Sequence, residues 1–358
     1  MKLANFLVVV LIYPVLQEPE SGIFLLKILS ILKGYIWNME IIRGLSRVKT
    51  CYKKCILTIG VFDGLHRGHQ KIIKEVVRCA RVFKRKSVII TFESPLASDS
   101  MYLSRSEGKH RIGLLLSTPQ EKIEILKSFK PDLLIILRFS KNLVNISAEE
   151  FVKKIVLNLA PSQIIVGTNH TFGKGGRGNP SLLKSLGKVY GFKVRIFNLK
   201  RSEGEAINST EIRKLIRKGD VRKANFLLGR YFSVQGRVIR GSRRGTSLGF
   251  PTANLKVHPL KIIPMNGVYA GLVRAGKNLY RGLINVGCRP TFTKGKGKPR
   301  IEIFLQNFRG NLYGHIIKVE FVKRIRDEKR FLTIPSLKNQ IERDLRKAKT
   351  ILSCVRHF

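Results

Sequence analysis

The chain has 358 residues, 44% of them hydrophobic, which excludes a disordered polypeptide and exceeds what one average core serves, so two domains are predicted. Its 68 basic and 23 acidic residues give a formal charge of +45, a field that attracts nucleotides, RNA and anionic membranes alike. The basic residues are spread through every segment and no aromatic-basic RNP string occurs, which argues against nucleic-acid binding as the main function. Five cysteines, at 51, 55, 79, 288 and 354, form no C-x-x-C pair and no zinc spacing with the seven histidines, as expected of a reduced, cytoplasmic protein.

Residues 1–38 read as an extension outside the core. Phe6 to Ile12 is apolar behind a single Lys2, and the apolar residues from Ile23 to Trp37 are broken by Lys27 and Lys33. Neither is a continuous span of about 20 apolar residues, so no membrane-spanning helix is expected. Met39-Glu40-Ile41-Ile42-Arg43-Gly44-Leu45 then reads as a first strand. The upstream stretch is either untranslated, with Met39 as the start, or a membrane-targeting leader.

Ile56 to Val61 reads as a buried strand that breaks at glycines and leads into the helical spacing of Gln70 to Val77. Between them stands Gly60-Val61-Phe62-Asp63-Gly64-Leu65-His66-Arg67-Gly68-His69. Histidines at such a turn lie beside the free amides and partial positive charge of a helix N-terminus, where an anion such as phosphate is best held. A surface pair or a metal pair is the alternative.

From Met39 to about Arg230 strand and helix alternate. Ser87 to Phe92, Asp132 to Leu137, Gln163 to Gly167 and Lys193 to Phe197 read as strands, Pro119 to Phe129 as a helix. Ser147-Ala148-Glu149-Glu150 reads as a capping box opening a helix that buries Phe151, Ile155 and Leu159. This alternation predicts an α/β domain with a parallel sheet and ligands at the carboxyl ends of its strands. Gly60 to His69 and Gly167 to Gly178 both occupy such ends. Gly173 to Gly178 matches G-x-G-x-x-G, but no acidic residue ends a following strand, as a dinucleotide fold requires. Asn169 either touches a ligand or closes an Asx turn. Further on, Ser209 is placed to cap a helix beginning at Thr210, with Arg213 one turn in, where its fork suits phosphate oxygens.

After Gly229 the texture changes. Phe232 to Ile239, Gly267 to Val273, Leu279 to Val286, Arg300 to Leu305 and Ile316 to Phe321 alternate, separated by glycine, proline and asparagine, which predicts an antiparallel β-barrel. Pro335 to Leu352 has helical spacing, with Leu337, Ile341, Leu345, Ala348 and Leu352 as a stripe expected to pack on the barrel.

Several strings carry a resemblance. Residues 60–69 resemble the G-x-F-D-G-x-H-x-G-H signature of the nucleotidyltransferase superfamily in the form found in bacterial bifunctional riboflavin kinase/FAD synthetases. Val166 to Gly173 resembles that family's nucleotide loop, and Ser209 to Arg213 its S-[ST]-T-x-I-R motif. Gly249-Phe250-Pro251-Thr252-Ala253-Asn254 matches G-F-P-T-A-N, and Ile301-Glu302-Ile303-Phe304 resembles the strand bearing the catalytic glutamate. Gly267 to Tyr269, Asn285 to Thr291 and Leu312 to Gly314 follow in family order. The likeness runs from Met39 to near Leu352.

It implies an FMN adenylyltransferase domain of Rossmann-like type over 39–222 and a barrel riboflavin kinase domain over 223–358. ATP, riboflavin, FMN and FAD are the implied partners, Mg²⁺ the cofactor, with no nucleic acid or membrane required and self-association left open. By the resemblance Gly60, Phe62, Asp63, Gly64, Gly68, Asn169, Ser209 and Thr210 bind nucleotide in the first half. Cationic His66 and His69 donate to the α-phosphate, and Arg213 holds the outer phosphates. In the second half Gly249, Pro251, Thr252 and Asn254 bind nucleotide, Thr252 and Asn254 hold the metal through oxygen, and Glu302 is the general base, without context a solvated strand glutamate. The alternatives are one active half, the kinase, or a basic RNA- or flavin-binding protein. Four departures stand out: Pro95 where a histidine is usual, Asn208 for serine, Arg243 for glycine and Asn311 for aspartate.

Overall fold

The computed structural model describes residues 38–93, 114–198, 207–241, 249–287 and 300–355. The extension 1–37, Pro95, Arg243 and the run Cys288 to Thr291 lie outside the described residues.

Six strands form the first sheet, in the order β1-β4-β3-β2-β5-β6: β1 (Glu40–Arg43), β2 (Ile56–Ile59), β3 (Ser87–Phe92), β4 (Leu133–Leu137), β5 (Gln163–Gly167) and β6 (Lys193–Phe197). The contacts among β2 to β6 are parallel. All four residues of β2 are buried, as a central parallel strand covered on both faces requires. Helix α1 (Arg67–Val82) follows β2 and buries Ile72, Ile73, Val76, Val77 and Ala80 along one stripe. The helix expected near Pro119 is α2 (Pro119–Lys127), opened by a full capping box between Thr118 and Glu121. Short α3 (Lys141–Asn145) and α4 (Ala148–Leu159) come next. Ser147 caps α4 by accepting from the Glu150 amide. Helix α5 (Pro180–Tyr190) precedes β6.

Helices α6 (Ser209–Arg217) and α7 (Val221–Leu228) lead into a closed barrel. Its strands are β7 (Phe232–Ile239), β8 (Thr252–Val257), β9 (Gly267–Ala275), β10 (Asn278–Gly287), β11 (Arg300–Leu305) and β12 (Ile316–Arg326), ordered β10-β11-β8-β7-β12-β9 and antiparallel throughout their described pairings. The barrel thus has a strand, β8, that the sequence reading lacks. Ile301, Ile303 and Leu305 point into the core with Val234, Val273 and Ile284, so Glu302 and Phe304, the alternate residues, face outward. Ile212 and Ile216 of α6 and Leu227 of α7 join that same core. Helix α8 (Ile334–Ser353) lies on the outer face, its Ala348 and Leu352 against Val268, Ala270, Leu272 and Leu283. No helix among the described residues is long and apolar enough to cross a membrane.

Candidate active sites

Ile59 ending β2, Gly60 just past it, Phe92 ending β3 and Gly167 ending β5 surround a cavity of about 550 Å³, where a parallel sheet offers its binding crevice. His66, His69, Phe62, Asn169 and Ser209 line it as well. The backbone reaches this arrangement through a tight turn in which Phe62, Gly64 and Leu65 have φ of 50°, 72° and 42°. A side chain at Gly64 would also meet Leu116 at 2.7 Å, so glycine is required twice over.

His66 caps α1: its Nδ1 accepts from the His69 amide at 3.4 Å, so the proton of the neutral ring resides on Nε2. The two imidazoles stack at 3.7 Å, 20° apart. Burial, reinforced by Arg230 and opposed by Asp63, lowers the His66 pKa to about 4. Burial, then His66 and Lys122, depress His69 well below its usual range. The imidazoles expected from sequence to be cationic are therefore held in the uncharged form at neutral pH. The unfolded chain takes up these protons first, so stability is full above pH 6.5 and declines as pH falls toward 4. His66 contributes a loss of about 3 kcal/mol across that window. Urea midpoints measured along a pH series are expected to show the decline, and His66→Gln to flatten it.

Asp63, Gly64, Gly68, Thr210 and Arg213 are not on the cavity wall. Asp63 is 6% exposed and accepts from the amides of Leu116 and Ser117 at 3.1 Å. The Arg213 Nη2 donates to its Oδ2 at 2.5 Å, and Nε to the Leu114 carbonyl at 2.8 Å. A buried carboxylate needs such partners, so the guanidinium expected on outer phosphates is engaged in fixing the turn. The Gly64 amide donates to the Ser117 hydroxyl, Gly68 is buried inside α1, and Thr210 is exposed. The cap expected at Ser209 belongs to Asn208, which accepts from the Glu211 amide at 2.8 Å. Ser209 begins the helix, faces the cavity and donates to the Asp63 carbonyl at 2.9 Å. Asn208 is thus a departure that keeps the capping oxygen.

Sequence reasoning missed an apolar wall of Phe92, Phe139, Leu143, Val144 and Ile146, with Phe92 and Phe139 stacked at 5.0 Å. It also missed His170, which lines the cavity with a buried Nε2 lacking a partner. The glycine loop contributes Gly173, Gly175 and Gly176 to the same wall. At Gly173, φ 72°, a Cβ would lie 2.7 Å from the Ala148 backbone.

A second cavity, about 390 Å³, lies outside the barrel between the strands, the segment after β12 and α8. Thr252, Asn285, Glu302 and Phe304 come from the barrel wall, and Leu337, Ile341 and Asp344 from α8. In register, Asn285 sits opposite Glu302 and Glu302 opposite Asn254, so these side chains share the outward face. Gly249 and Pro251 do not line the cavity. Phe250 does, meeting Phe304 edge-on at 5.8 Å. Asn254 also stays off the wall: its amide packs over Gly241, where a Cβ would come within 2.0 Å. Asn311 accepts from the Tyr313 amide at 2.8 Å, a turn that aspartate would form equally.

The family model described as FAD synthetase matches residues 48–211, and the one described as riboflavin kinase matches 228–352. Among curated relatives, the bifunctional riboflavin kinase/FMN adenylyltransferase of Buchnera aphidicola subsp. Acyrthosiphon pisum is 34% identical over 310 residues, 86% of this chain and 96% of that protein. The protein of the same description from Haemophilus influenzae is 33% identical, over 88% of this chain and 100% of that one. A solved structure described as a macrolide-efflux protein from Streptococcus pneumoniae has a TM-score of 0.77 at 28% identity, covering 87% of this chain and 99% of its own. The chain belongs to the bifunctional riboflavin kinase/FMN adenylyltransferase family.

Proposed function

We propose that this chain phosphorylates riboflavin to FMN in its barrel half, 223–358, and adenylylates FMN to FAD in its α/β half, 39–222. The observation that carries this is the pairing of two separate cavities, one holding the neutral imidazoles His66 and His69 at a helix N-terminus, the other holding Glu302 beside Thr252. The two chemistries need different groups. An FMN phosphate oxygen attacks the α-phosphorus of ATP and pyrophosphate leaves; the nucleophile is already an anion, so positioning and hydrogen-bond donors suffice. His66 donates from Nε2, and Ser209 and Asn169 complete the ring of polar groups. The apolar wall around Phe92 and Phe139 suits an isoalloxazine ring.

Riboflavin attacks the γ-phosphorus through its ribityl 5′-hydroxyl, whose proton must go to a base as ADP leaves. Glu302 takes it. Magnesium, when bound, screens the phosphate charge. The Thr252 hydroxyl on the cavity wall and the Asn254 side-chain oxygen would hold that hard cation through oxygen. The proposed location is the cytoplasm, with nucleotides and flavins as the partners and no membrane or nucleic acid needed.

Purified protein given riboflavin, ATP and Mg²⁺ is expected to yield FMN and then FAD by chromatography. FMN alone would leave only the kinase, and neither product would end the reading. His66→Ala is expected to slow FAD formation about 10²- to 10³-fold, the cost of removing one well-placed donor, with FMN formation unchanged.

A further inference from the structure

Two neighbouring residues at the start of α2 are buried and charged. Glu121 is 4% and Lys122 3% exposed, and successive residues of a helix point in different directions. Glu121 turns toward the barrel. Lys122 turns toward the transferase cavity, where its Nζ donates to the Val61 carbonyl at 2.8 Å and the Phe92 carbonyl at 3.2 Å. Val61 and Phe92 both line that cavity, one just past the carboxyl end of β2 and the other ending β3. The Thr91 hydroxyl also donates to the Val61 carbonyl, at 3.2 Å. Among the described residues no carboxylate stands within ion-pair distance of Lys122. A buried ammonium without an ion partner is costly; two carbonyl acceptors and the Asp63 carboxylate beyond ion-pair distance offset part of that cost, which points to a use for its charge.

We propose that Lys122 is a positioning residue of the transferase site: its ammonium clamps the ends of β2 and β3 together and sets positive charge behind His69. The inference rests on the transferase reading above. Clamping fixes Phe92, hence the apolar wall, relative to the turn that carries both histidines. The charge favours the uncharged form of His69, whose Nδ1 is buried without a partner, leaving Nε2 as the nitrogen for a ligand. An anionic phosphate entering the cavity gains from the same buried cation. Burial, opposed by Asp63, lowers the Lys122 pKa to about 8, so the ammonium form prevails at neutral pH. The titratable groups that interact with it electrostatically are Asp63 on the turn and His69 on α1.

The test is Lys122→Met, of similar length and without charge, with FMN formation as the internal control for folding. FAD formation from FMN is expected to fall about 10- to 100-fold, with FMN formation unchanged. In the unliganded variant, the His69 imidazole followed by ¹⁵N NMR is expected to titrate at a higher pH than in the wild type. Unchanged FAD formation with an unchanged His69 titration overturns the proposal while leaving the transferase reading intact. A wild-type protein that makes FMN but no FAD ends both. If Lys122→Met loses FMN formation too, Lys122→Gln, which keeps a donor for the carbonyls, decides: selective loss of FAD formation supports the proposal, and loss of both activities overturns it.

Discussion

Glu302→Gln is expected to lower riboflavin phosphorylation by about 10²- to 10⁴-fold, the range over which a positioned general base acts, and to leave conversion of supplied FMN to FAD intact. The substitution is close to isosteric. Glu302 lies on the outward face of β11 opposite Asn285 and Asn254, while Ile301 and Ile303 on either side are in the barrel core, so the change touches no packed position. The glutamine keeps an oxygen to accept from the ribityl hydroxyl but cannot take its proton. Both rates are read in one chromatographic assay supplied first with riboflavin and then with FMN. An unaffected kinase rate, or loss of both activities, contradicts the assignment.

The second large effect concerns stability. Lys261→Met is expected to destabilise the fold by about 3–5 kcal/mol, the cost of stranding one member of a buried ion pair. Lys261 and Glu121 are 3% and 4% exposed and meet at 2.6 Å. Lys261 also donates to the Leu116 carbonyl and sits 4.8 Å from the centre of the Phe232 ring. Glu121 receives the Thr118 amide at 2.8 Å and the Gln235 amide at 3.1 Å. Those two bonds cannot balance a naked carboxylate. The double variant Glu121→Gln/Lys261→Met is expected to recover most of the loss, because it removes the uncompensated charge. Urea midpoints of the wild type, the single variants and the double variant supply the comparison; a single variant as stable as the wild type would refute it.

Much of the fold was legible because its signals are local. β2, β3, β4 and β5 are near-continuous apolar runs, and α8 shows its stripe plainly. β8 also alternates, with Ala253, Leu255 and Val257 inward, but six residues hard against Pro251 give little period to read. The sites were half legible. Motif spacing located His66, His69, Asn169, Ser209, Thr252 and Glu302, which do line cavities. The same motifs pointed to Asp63 and Arg213, which meet each other off the cavity wall; a string cannot say whether an acid and a base 150 residues apart satisfy each other. Lys122, His170 and the Glu121–Lys261 pair have no local signature at all; their meaning comes from partners far along the chain. Among 68 lysines and arginines, nothing in composition singles out the buried ones.

Arg230, the second residue after α7, donates to the Gly64 carbonyl at 2.7 Å and to the Leu65 carbonyl at 3.2 Å. Gln70 spans the same seam, donating to the carbonyls of Leu65 and Leu228. Grafting a foreign barrel onto this α/β half would therefore strand oxygens of the very loop that bears the histidines, unless the donor barrel brings its own arginine at the matching point. Exchange of modules between such proteins is thus confined to partners whose seams carry the same set of hydrogen-bonding groups.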